Sequence, residues 1–359
     1  MSSACCVLTL LLSSALLAQG PEPGARVASS PAQDRPTLRV FLLAGQSNME
    51  GHGVVDLDDA RDYNGGRGTL ARFLAEPANA QAFGDLLAQG GGFATRDDVF
   101  VRYLTAHGTV KAAALSVGFA VYDGAHHFGP ELGLGRQLGR RWQEPVLLVK
   151  TAWGGKSLDQ DFRPPGAGGT LGPCYVQMLA EYRAALAALP REFPELAATH
   201  VPELQGFVWF QGWNDGCDER AAAAYHENLV QLVLDLRAEF ADPTLPFVVG
   251  ETGNIDNATL RDGQRAGCAD PRVGPFVRFV PTRDFLRAPE DSPNTTHGHH
   301  WFGNGESYLR IGDALGLAIG ELVDARSAWA VARARAEAAR RDRESGAAHG
   351  ARGTTRSGG

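Results

Sequence analysis

The sequence predicts an α/β fold of three layers, in which helices cover both faces of a mainly parallel sheet. Four short, continuous apolar runs are typical of strands buried on both faces, and they lie at residues 37–44, 145–150, 206–210 and 246–250. Apolar residues recur at helical spacing in 218–240, and 175–189 is a second helix candidate that we expect Pro190 to end. Strands that alternate with helices favour a parallel sheet, whose active site lies at the carboxyl ends of the strands.

The remaining segments define the expected domain organisation. Residues 1–20 have the short apolar core and small residues of an export signal, although no Lys or Arg precedes the core, and a buried N-terminal strand or helix is the alternative. Residues 21–36 are expected to be a linker and 37–322 a folded domain. Within that domain, 51–130 is rich in Gly, Asp and Asn and is expected to be a loop-rich insertion near the substrate. Residues 323–359 are expected to form an Ala/Arg-rich helix and a partly disordered tail. The protein is therefore expected to be periplasmic or extracellular.

Composition excludes several classes of partner. The net charge is −7, which disfavours a protein that grips nucleic-acid phosphates or acts on an anionic membrane surface. No apolar stretch long enough to span a membrane follows residue 20, so we expect no span after signal removal. The widely spaced Cys174, Cys217 and Cys268 do not form a zinc-ribbon pattern, and we expect them to be structural, with one disulfide and one free thiol left open.

Polar, glycine-containing blocks directly follow the first three apolar runs: GQSNMEG at 45–51, TAWGGKS at 151–157 and QGWNDG at 211–216. A serine on a sharp turn after a strand can be a nucleophile. A Gly-Gly turn can aim a backbone N–H at a substrate oxygen, and an asparagine amide can donate a second hydrogen bond to it. Alone, each block is more typical of an ordinary turn or helix cap.

A histidine-rich segment, THGHHWFGN at 296–304, comes late in the domain, before a helical pattern at 306–322. A nucleophile, two oxyanion donors and a late histidine base together make up the machinery of acyl transfer. The joint order of the four segments is much more specific than any one of them. It therefore predicts a hydrolytic site at the carboxyl edge of the sheet.

These four blocks resemble those of the SGNH hydrolases and, more narrowly, of the sialate O-acetylesterase-like (SASA) carbohydrate acetylesterases. The likeness covers roughly 37–322, and its most specific part is Gly-Gln-Ser-Asn-Met around Ser47. The narrower group often has Gln-Gly-Glu-x-Asp in the third block, so Trp213 is a departure, and any help that the usual Glu gives the histidine is missing here. The resemblance implies a flavodoxin-like α/β/α fold and hydrolysis of O-acetyl groups on carbohydrates through an acetyl-serine intermediate.

The resemblance also implies the roles of the acyl-binding residues. Ser47 is the expected nucleophile and Asn214 an oxyanion donor. The other expected donors are the backbone N–H groups of Ser47 and of Gly154 or Gly155, between which the spacing does not choose. Neither metal nor organic cofactor is needed for this chemistry.

The base and its supporting acid are less closely defined. His300 is the expected base, because Trp301 resembles the aromatic residue that often follows the family histidine, and His299 is the alternative. Neither histidine has an Asp three positions before it, as SGNH enzymes commonly do. Asp291 is the expected acid, with Glu290 or a dyad supported by a backbone carbonyl as alternatives.

Substrate contacts and rival functions complete the expectations. Gln46, Trp213 and Trp301 are expected to contact the sugar, whose identity the sequence leaves open. One rival is metal-dependent hydrolysis, with His126, His127 or Asp291 adding a ligand to the late histidines. The other is a carbohydrate-binding or cell-surface module with weakened catalysis.

Overall fold

The computed structural model describes residues 35–353. The chain divides into two compact units, Met1–Arg35 and Pro36–Gly359, and almost all of the first lies outside the described residues. The expected export signal at 1–20 and nearly all of the expected linker at 21–36 therefore lie outside them, as do the last residues of the tail, 354–359.

Strands and helices alternate along the described chain. Its strands are β1 (Thr37–Gly45), β2 (Gly53–Val54), β3 (Arg96–Leu104), β4 (Val110–Leu115), β5 (His127–Phe128), β6 (Val146–Ala152), β7 (Val201–Phe210), β8 (Phe247–Gly250) and β9 (Val277–Val280). Its α-helices are α1 (Ser47–Glu50), α2 (Leu70–Ala75), α3 (Pro77–Phe83), α4 (Glu131–Arg141), α5 (Pro173–Glu192), α6 (Pro194–Thr199), α7 (Trp213–Gly216), α8 (Glu219–Glu239), α9 (Ala258–Ala269) and α10 (Gly305–Gly353).

Seven of these strands form one sheet in the order β4–β3–β6–β1–β7–β8–β9. All neighbours are parallel except β3 and β4, so the predicted mainly parallel sheet is confirmed. Strand β1 is central, and its last residue, Gly45, is paired with Ala152 of β6 and Phe210 of β7. The three polar blocks therefore begin side by side at one edge of the sheet.

Helices cover both faces of the sheet, as the three-layer prediction requires. Leu38, Val40 and Leu42 of β1 point to one face, where they pack with residues of α5 and α8. Phe41 and Leu43 point to the other face, where they pack with residues of α4 and α10. Full burial of such a side chain contributes about 1.5–3 kcal/mol, so both layers stabilise the central strand from which the first block emerges.

Three local features differ from the sequence expectations. Pro190 lies inside α5 rather than ending it, and the burial of Leu189 and Phe193 around it offsets the backbone hydrogen bond that a proline loses. The segment 51–130 contributes β3 and β4 to the main sheet, so it is more than loops. Helix α10 continues without a break to Gly353, so it takes up most of 323–359, where the helix was expected to give way to a partly disordered tail.

Two further findings concern the cysteines and the membrane. Cys174 and Cys268 are buried and Cys217 is exposed, and all three are free thiols. Within residues 35–353, no helix combines the length and the apolar character needed to cross a bilayer.

Candidate active site

Ser47 lies where β1 meets the short helix α1. A side chain at Gly45 would clash with the carbonyl group of Phe210 on β7, so only glycine allows this close approach. Ser47 is 8% exposed, and its hydroxyl makes no hydrogen bond to any residue in the described part of the chain. The hydroxyl is therefore not committed to an intramolecular partner.

The Gly-Gly turn after β6 lies next to this serine. A Cβ atom at Gly154 would be 3.7 Å from Cβ of Ser47 and 3.0 Å from Oε2 of Glu50. The backbone N–H of Gly154 interacts with the Glu50 carboxylate, whereas Gly155 has a φ of +69° and open space where a side chain would be. Gly154 thus already has a partner for its N–H, and Gly155 faces the open side.

Hydrogen bonds join all three blocks through Asn214. Its Nδ2 donates to the carbonyl oxygen of Gly155 at 2.9 Å, and its Oδ1 accepts from Nε2 of Gln46 at 3.1 Å. The side chain of Asn214 therefore connects the block after β1 with the block after β6. The predicted neighbours Ser47, Gly155 and Asn214 are thus brought together at the edge of the sheet.

Gln46 is 2% exposed, and both the oxygen and the nitrogen of its amide are hydrogen-bonded within the protein. Its Oε1 accepts from the backbone N–H groups of Gly212 at 3.1 Å and of Asn214 at 3.3 Å, in addition to the Nε2 contact above. This geometry supports a role in positioning Asn214 and does not support the contact with sugar that the sequence predicts.

Asp215 is a buried residue to which the sequence analysis gave no role. Its carboxylate accepts hydrogen bonds from the backbone N–H groups of Leu158 and Asp159 at 2.9 Å each, and from Nε2 of Gln211 at 2.6 Å. Burial raises the pKa of Asp215 to about 6 despite these bonds. Asp215 joins the loop after β6 to the block that contains Asn214 through these hydrogen bonds. In the sequence, only its position in that block could have indicated such a role.

The late histidine segment also reaches this site. The carbonyl oxygen of His299 accepts hydrogen bonds from Nδ2 of Asn48 and Nδ2 of Asn254, both at 3.0 Å. The ring of His299 lies 5.9 Å from that of Trp213, measured between centroids. Because Asn48 follows Ser47 and Trp213 precedes Asn214, the segment lies beside both blocks.

His300 stacks on His52, with 3.6 Å between ring centroids and 16° between planes. Burial, followed by the neighbouring His299 and His297, lowers the pKa of His300 to about 3. Burial, then His297, also lowers the pKa of His299 below 6.5. Both rings are therefore neutral near pH 7, the state that a general base requires, and neither is hydrogen-bonded to Ser47.

His52 was missed by the sequence analysis, although it follows the first block directly. It is buried, and its Nδ1 lies 2.9 Å from the hydroxyl oxygen of Tyr122. Burial, followed by the charge of His300, lowers its pKa well below 6.5. His52 thus orients the ring of His300 while remaining neutral.

The structure does not bring Asp291 to the histidines. Asp291 is exposed on the short turn Pro289–Asp291 and lines a pocket with Arg67 and Arg72. Across residues 35–353, the histidines paired with carboxylates are His126, with Asp56, and His226, with Asp270. Within residues 35–353, neither His299 nor His300 forms an ion pair with a carboxylate.

The two expected aromatic contacts have different surroundings. Trp301 is fully buried in the core between the sheet and α10, so its indole has no open face for a sugar. Trp213 is half-buried and remains a predicted sugar contact. In the described part of the chain, no cluster of three or more His, Cys, Asp or Glu side chains is arranged to hold a metal ion.

A mainly parallel sheet between helical layers is the α/β sandwich of the SGNH type, and these blocks lie at its carboxyl edge. Residues 93–308 match the SASA family model, described as carbohydrate esterase, sialic acid-specific acetylesterase, and the chain belongs to this family. The matched range includes Gly155, Asn214 and His300, whereas Ser47 precedes it.

Solved structures show more distant similarity. A protein from Arabidopsis thaliana is 18% identical with a TM-score of 0.48, covering 79% of this chain and 98% of that one. A carbohydrate acetylesterase from Xanthomonas citri is 17% identical with a TM-score of 0.47, covering 80% and 56%. NanS is 15% identical with a TM-score of 0.43, covering 69% and 78%. No curated protein matches the chain significantly.

Proposed function

We propose that the protein is a serine esterase that removes O-acetyl groups from carbohydrates through an acetyl-serine intermediate. The observation that carries this proposal is the pair of hydrogen bonds that Asn214 makes with Gln46 and Gly155. They lie next to the hydroxyl of Ser47, which has no hydrogen-bond partner among the described residues. Membership of the carbohydrate esterase family supports an acetylated carbohydrate as the substrate.

In the proposed reaction, neutral His300 takes the proton of the Ser47 hydroxyl as its oxygen attacks the acetyl carbonyl carbon. The tetrahedral intermediate collapses when the bond to the sugar oxygen breaks, and His300 returns the proton to that oxygen. Water activated by the same ring then hydrolyses the acetyl-serine to acetate and free Ser47. No step needs a metal ion or cofactor.

The oxyanion is bound by three donors in this proposal: the backbone N–H of Ser47, the backbone N–H of Gly155 and Nδ2 of Asn214. Gly155 is chosen over Gly154 because the N–H of Gly154 faces Glu50. The amide of Asn214 carries two hydrogens, so one can stay on the Gly155 carbonyl while the other meets the substrate. Each such donor typically lowers the barrier by roughly 3–4 kcal/mol.

The test is release of acetate from O-acetylated glycans and of p-nitrophenol from p-nitrophenyl acetate. We expect Ser47→Ala to abolish both activities and a serine-directed phosphonate to label the peptide that contains Ser47. Ser327→Ala, on α10, is the matched control and should retain the wild-type rate. Labelling at another serine, or unchanged activity of Ser47→Ala, would refute the proposal.

A second pair of variants tests the identity of the base. Loss of a general base typically lowers the rate by roughly 10²- to 10⁴-fold. We expect such a loss for His300→Ala and a loss of less than about tenfold for His299→Ala. If His299 were the base, the two losses would be exchanged.

A carbohydrate-binding module with weakened catalysis is the second candidate. It is favoured by the missing acid partner of His300 and by Trp213 in place of the family's usual Glu. Binding of an acetylated glycan in calorimetry, together with turnover that does not depend on Ser47, would support this candidate over the esterase.

We propose further that residues 1–20 direct export and are removed, so that the enzyme acts outside the cytoplasm. Expression of the full chain in a bacterial host, followed by fractionation and N-terminal sequencing, tests this. Uncleaved protein retained in the cytoplasm would overturn it.

A further inference from the structure

A second polar pocket lies between segments 60–64 and 293–297. Its volume is about 590 Å³, and its lining includes Tyr63, Asn64, Thr295, Thr296 and His297. This volume accommodates a sugar ring. None of the roles assigned above uses this pocket.

The pocket is adjacent to the candidate active site along one wall of aromatic rings. His297 lies 5.6 Å from His299 between ring centroids, and His299 lies 4.1 Å from His300. One end of the pocket, at His297, therefore lies two ring contacts away from the proposed base.

Aromatic rings on the other side of the pocket, beginning with Tyr63, also extend to His300. Tyr63 lies 6.4 Å from His127 between ring centroids, and His127 lies 4.2 Å from Tyr122. Tyr122 in turn contacts His52, the residue on which His300 stacks. The pocket is thus connected to His300 through side-chain contacts on both of its sides.

One side of the pocket is hydrogen-bonded to the residues that directly precede the other side. Nδ2 of Asn64 donates to the carbonyl oxygens of Glu290 and Ser292, both at 3.0 Å. Asn64 adopts the left-handed backbone conformation, with φ of 49°, which Asn adopts more readily than most other non-glycine residues. The relative position of the two sides is thus fixed before any ligand binds.

The polar groups that face the pocket suit the hydroxyl groups of a neutral sugar. The hydroxyls of Tyr63, Thr295 and Thr296 make no hydrogen bond to any residue in 35–353. The guanidinium of Arg61 is engaged by Asp62 through two hydrogen bonds, at 2.7 and 2.6 Å, which neutralises the one cation of the lining. Uncommitted hydroxyls, a ring face and balanced charge match a sugar ring and do not match an anion.

We propose that this pocket binds the neutral sugar unit next to the acetylated one, so that the substrate is an O-acetylated oligo- or polysaccharide rather than a free acetylated monosaccharide. This inference rests on the proposed esterase function. The probes are partially O-acetylated xylotriose and mannotriose, the acetylated methyl glycosides of the same sugars, and acetylated trigalacturonic acid. We expect kcat/KM to be at least tenfold higher for the neutral trisaccharides than for the methyl glycosides or the anionic trisaccharide.

The variants Thr296→Val and Tyr63→Phe each remove one hydroxyl with little change in shape. We expect each to lower the ratio of kcat/KM for acetylated trisaccharide to kcat/KM for p-nitrophenyl acetate by roughly 3- to 10-fold, the effect of one hydrogen bond. Thr109→Val, in the exposed turn between β3 and β4, is the matched control and should leave this ratio at the wild-type value.

Calorimetry with Ser47→Ala separates failure of the subsite from failure of the esterase. If this variant binds the neutral trisaccharides and Thr296→Val weakens that binding, the subsite stands even without turnover. Equal kcat/KM for trisaccharides and methyl glycosides, or trisaccharide binding that neither substitution weakens, overturns the inference. If no substrate releases acetate but trisaccharide binding is retained, the proposed esterase activity is wrong and the proposed subsite is not contradicted.

Discussion

Nζ of Lys150 and Oε2 of Glu131 are 2.8 Å apart, and neither side chain is exposed to solvent. Lys150 also donates to the carbonyl oxygens of Glu50 at 2.8 Å and Phe119 at 2.7 Å. Glu131 accepts from the backbone N–H of Gly129 at 2.8 Å. The ion pair therefore holds the end of α1, the helix that begins with Ser47, against the start of α4.

Removing Lys150 should be strongly destabilising. In Lys150→Met, the carboxylate of Glu131 is left buried without its cation, which costs about 3–5 kcal/mol. The free energy of unfolding, measured by urea denaturation, should fall by this amount. The double variant Lys150→Met/Glu131→Leu should recover much of it, because no unpaired charge remains.

Arg333→Met provides the matched control for this loss. Arg333 pairs with Glu337 on the exposed part of α10, where a salt bridge contributes about 1 kcal/mol or less. If Lys150→Met cost no more than Arg333→Met, the buried pair would not have the structural role given to it here.

How far the sequence predicts this fold depends on how deeply each strand is buried. Strands β1, β6 and β8 are buried along nearly all of their length, so they appear as continuous apolar runs. Strand β4 is at the edge of the sheet and half-exposed, and β3 begins with Arg96, Asp97 and Asp98. Such strands lack a continuous run, which explains why the pattern at 51–130 predicts loops.

The sequence predicts the parts of the site that follow strands, because parallel strands end at one edge. Contacts made by loops are different, since spacing along the chain does not show which way a loop turns. The structure therefore places Asp291 away from His300, and it adds His52 and Asp215, whose contacts arise only from tertiary packing.

The isosteric substitution Gln46→Glu tests how the oxyanion site is positioned. A carboxylate has no N–H to donate to Oδ1 of Asn214, so two oxygens would face each other across the present 3.1 Å contact. Asn214 should lose its orientation, and kcat for p-nitrophenyl acetate should fall by roughly 10²-fold, as when one oxyanion donor is removed. Gln160→Glu, at an exposed position in the loop after β6, should keep the wild-type kcat. A change in KM with kcat unaltered would argue against this role.

The pH dependence of activity should reflect the lowered pKa values of the histidines. A general base works only when neutral, and a lowered pKa extends the neutral range toward acid. Since the pKa of His300 is about 3 and that of His299 is also below 6.5, kcat/KM should stay level as the pH falls through 6.5. A pH–rate profile with a half-maximal acid limb at 6.5 or above would contradict this expectation.

Removal of metal ions should leave the activity intact. The proposed reaction uses the hydroxyl of Ser47, a neutral imidazole and hydrogen-bond donors, and none of these depends on a bound cation. The rate with p-nitrophenyl acetate after exhaustive treatment with EDTA should equal that of the untreated enzyme. Activity that is lost on chelation and restored by zinc would instead favour metal-dependent hydrolysis by the late histidines.

Buried His127 should make the fold less stable in mild acid. Its side chain packs against Tyr122, and burial, followed by the charge of His126, lowers its pKa to about 4. Between the unfolded value near 6.5 and this value, the unfolded chain binds a proton that the folded chain does not, so the free energy of unfolding falls as the pH falls. At pH 4.5 this one group accounts for about 2.5 kcal/mol relative to pH 7.5. His127→Phe removes the titration. The free energy of unfolding of this variant, measured by urea denaturation, should therefore fall by about that much less than the wild-type value between the two pH values.

His107→Phe, at an exposed position in the turn between β3 and β4, is the control and should show no such gain in stability relative to wild type at the lower pH. An equal gain for both variants would exclude burial of His127 as the cause.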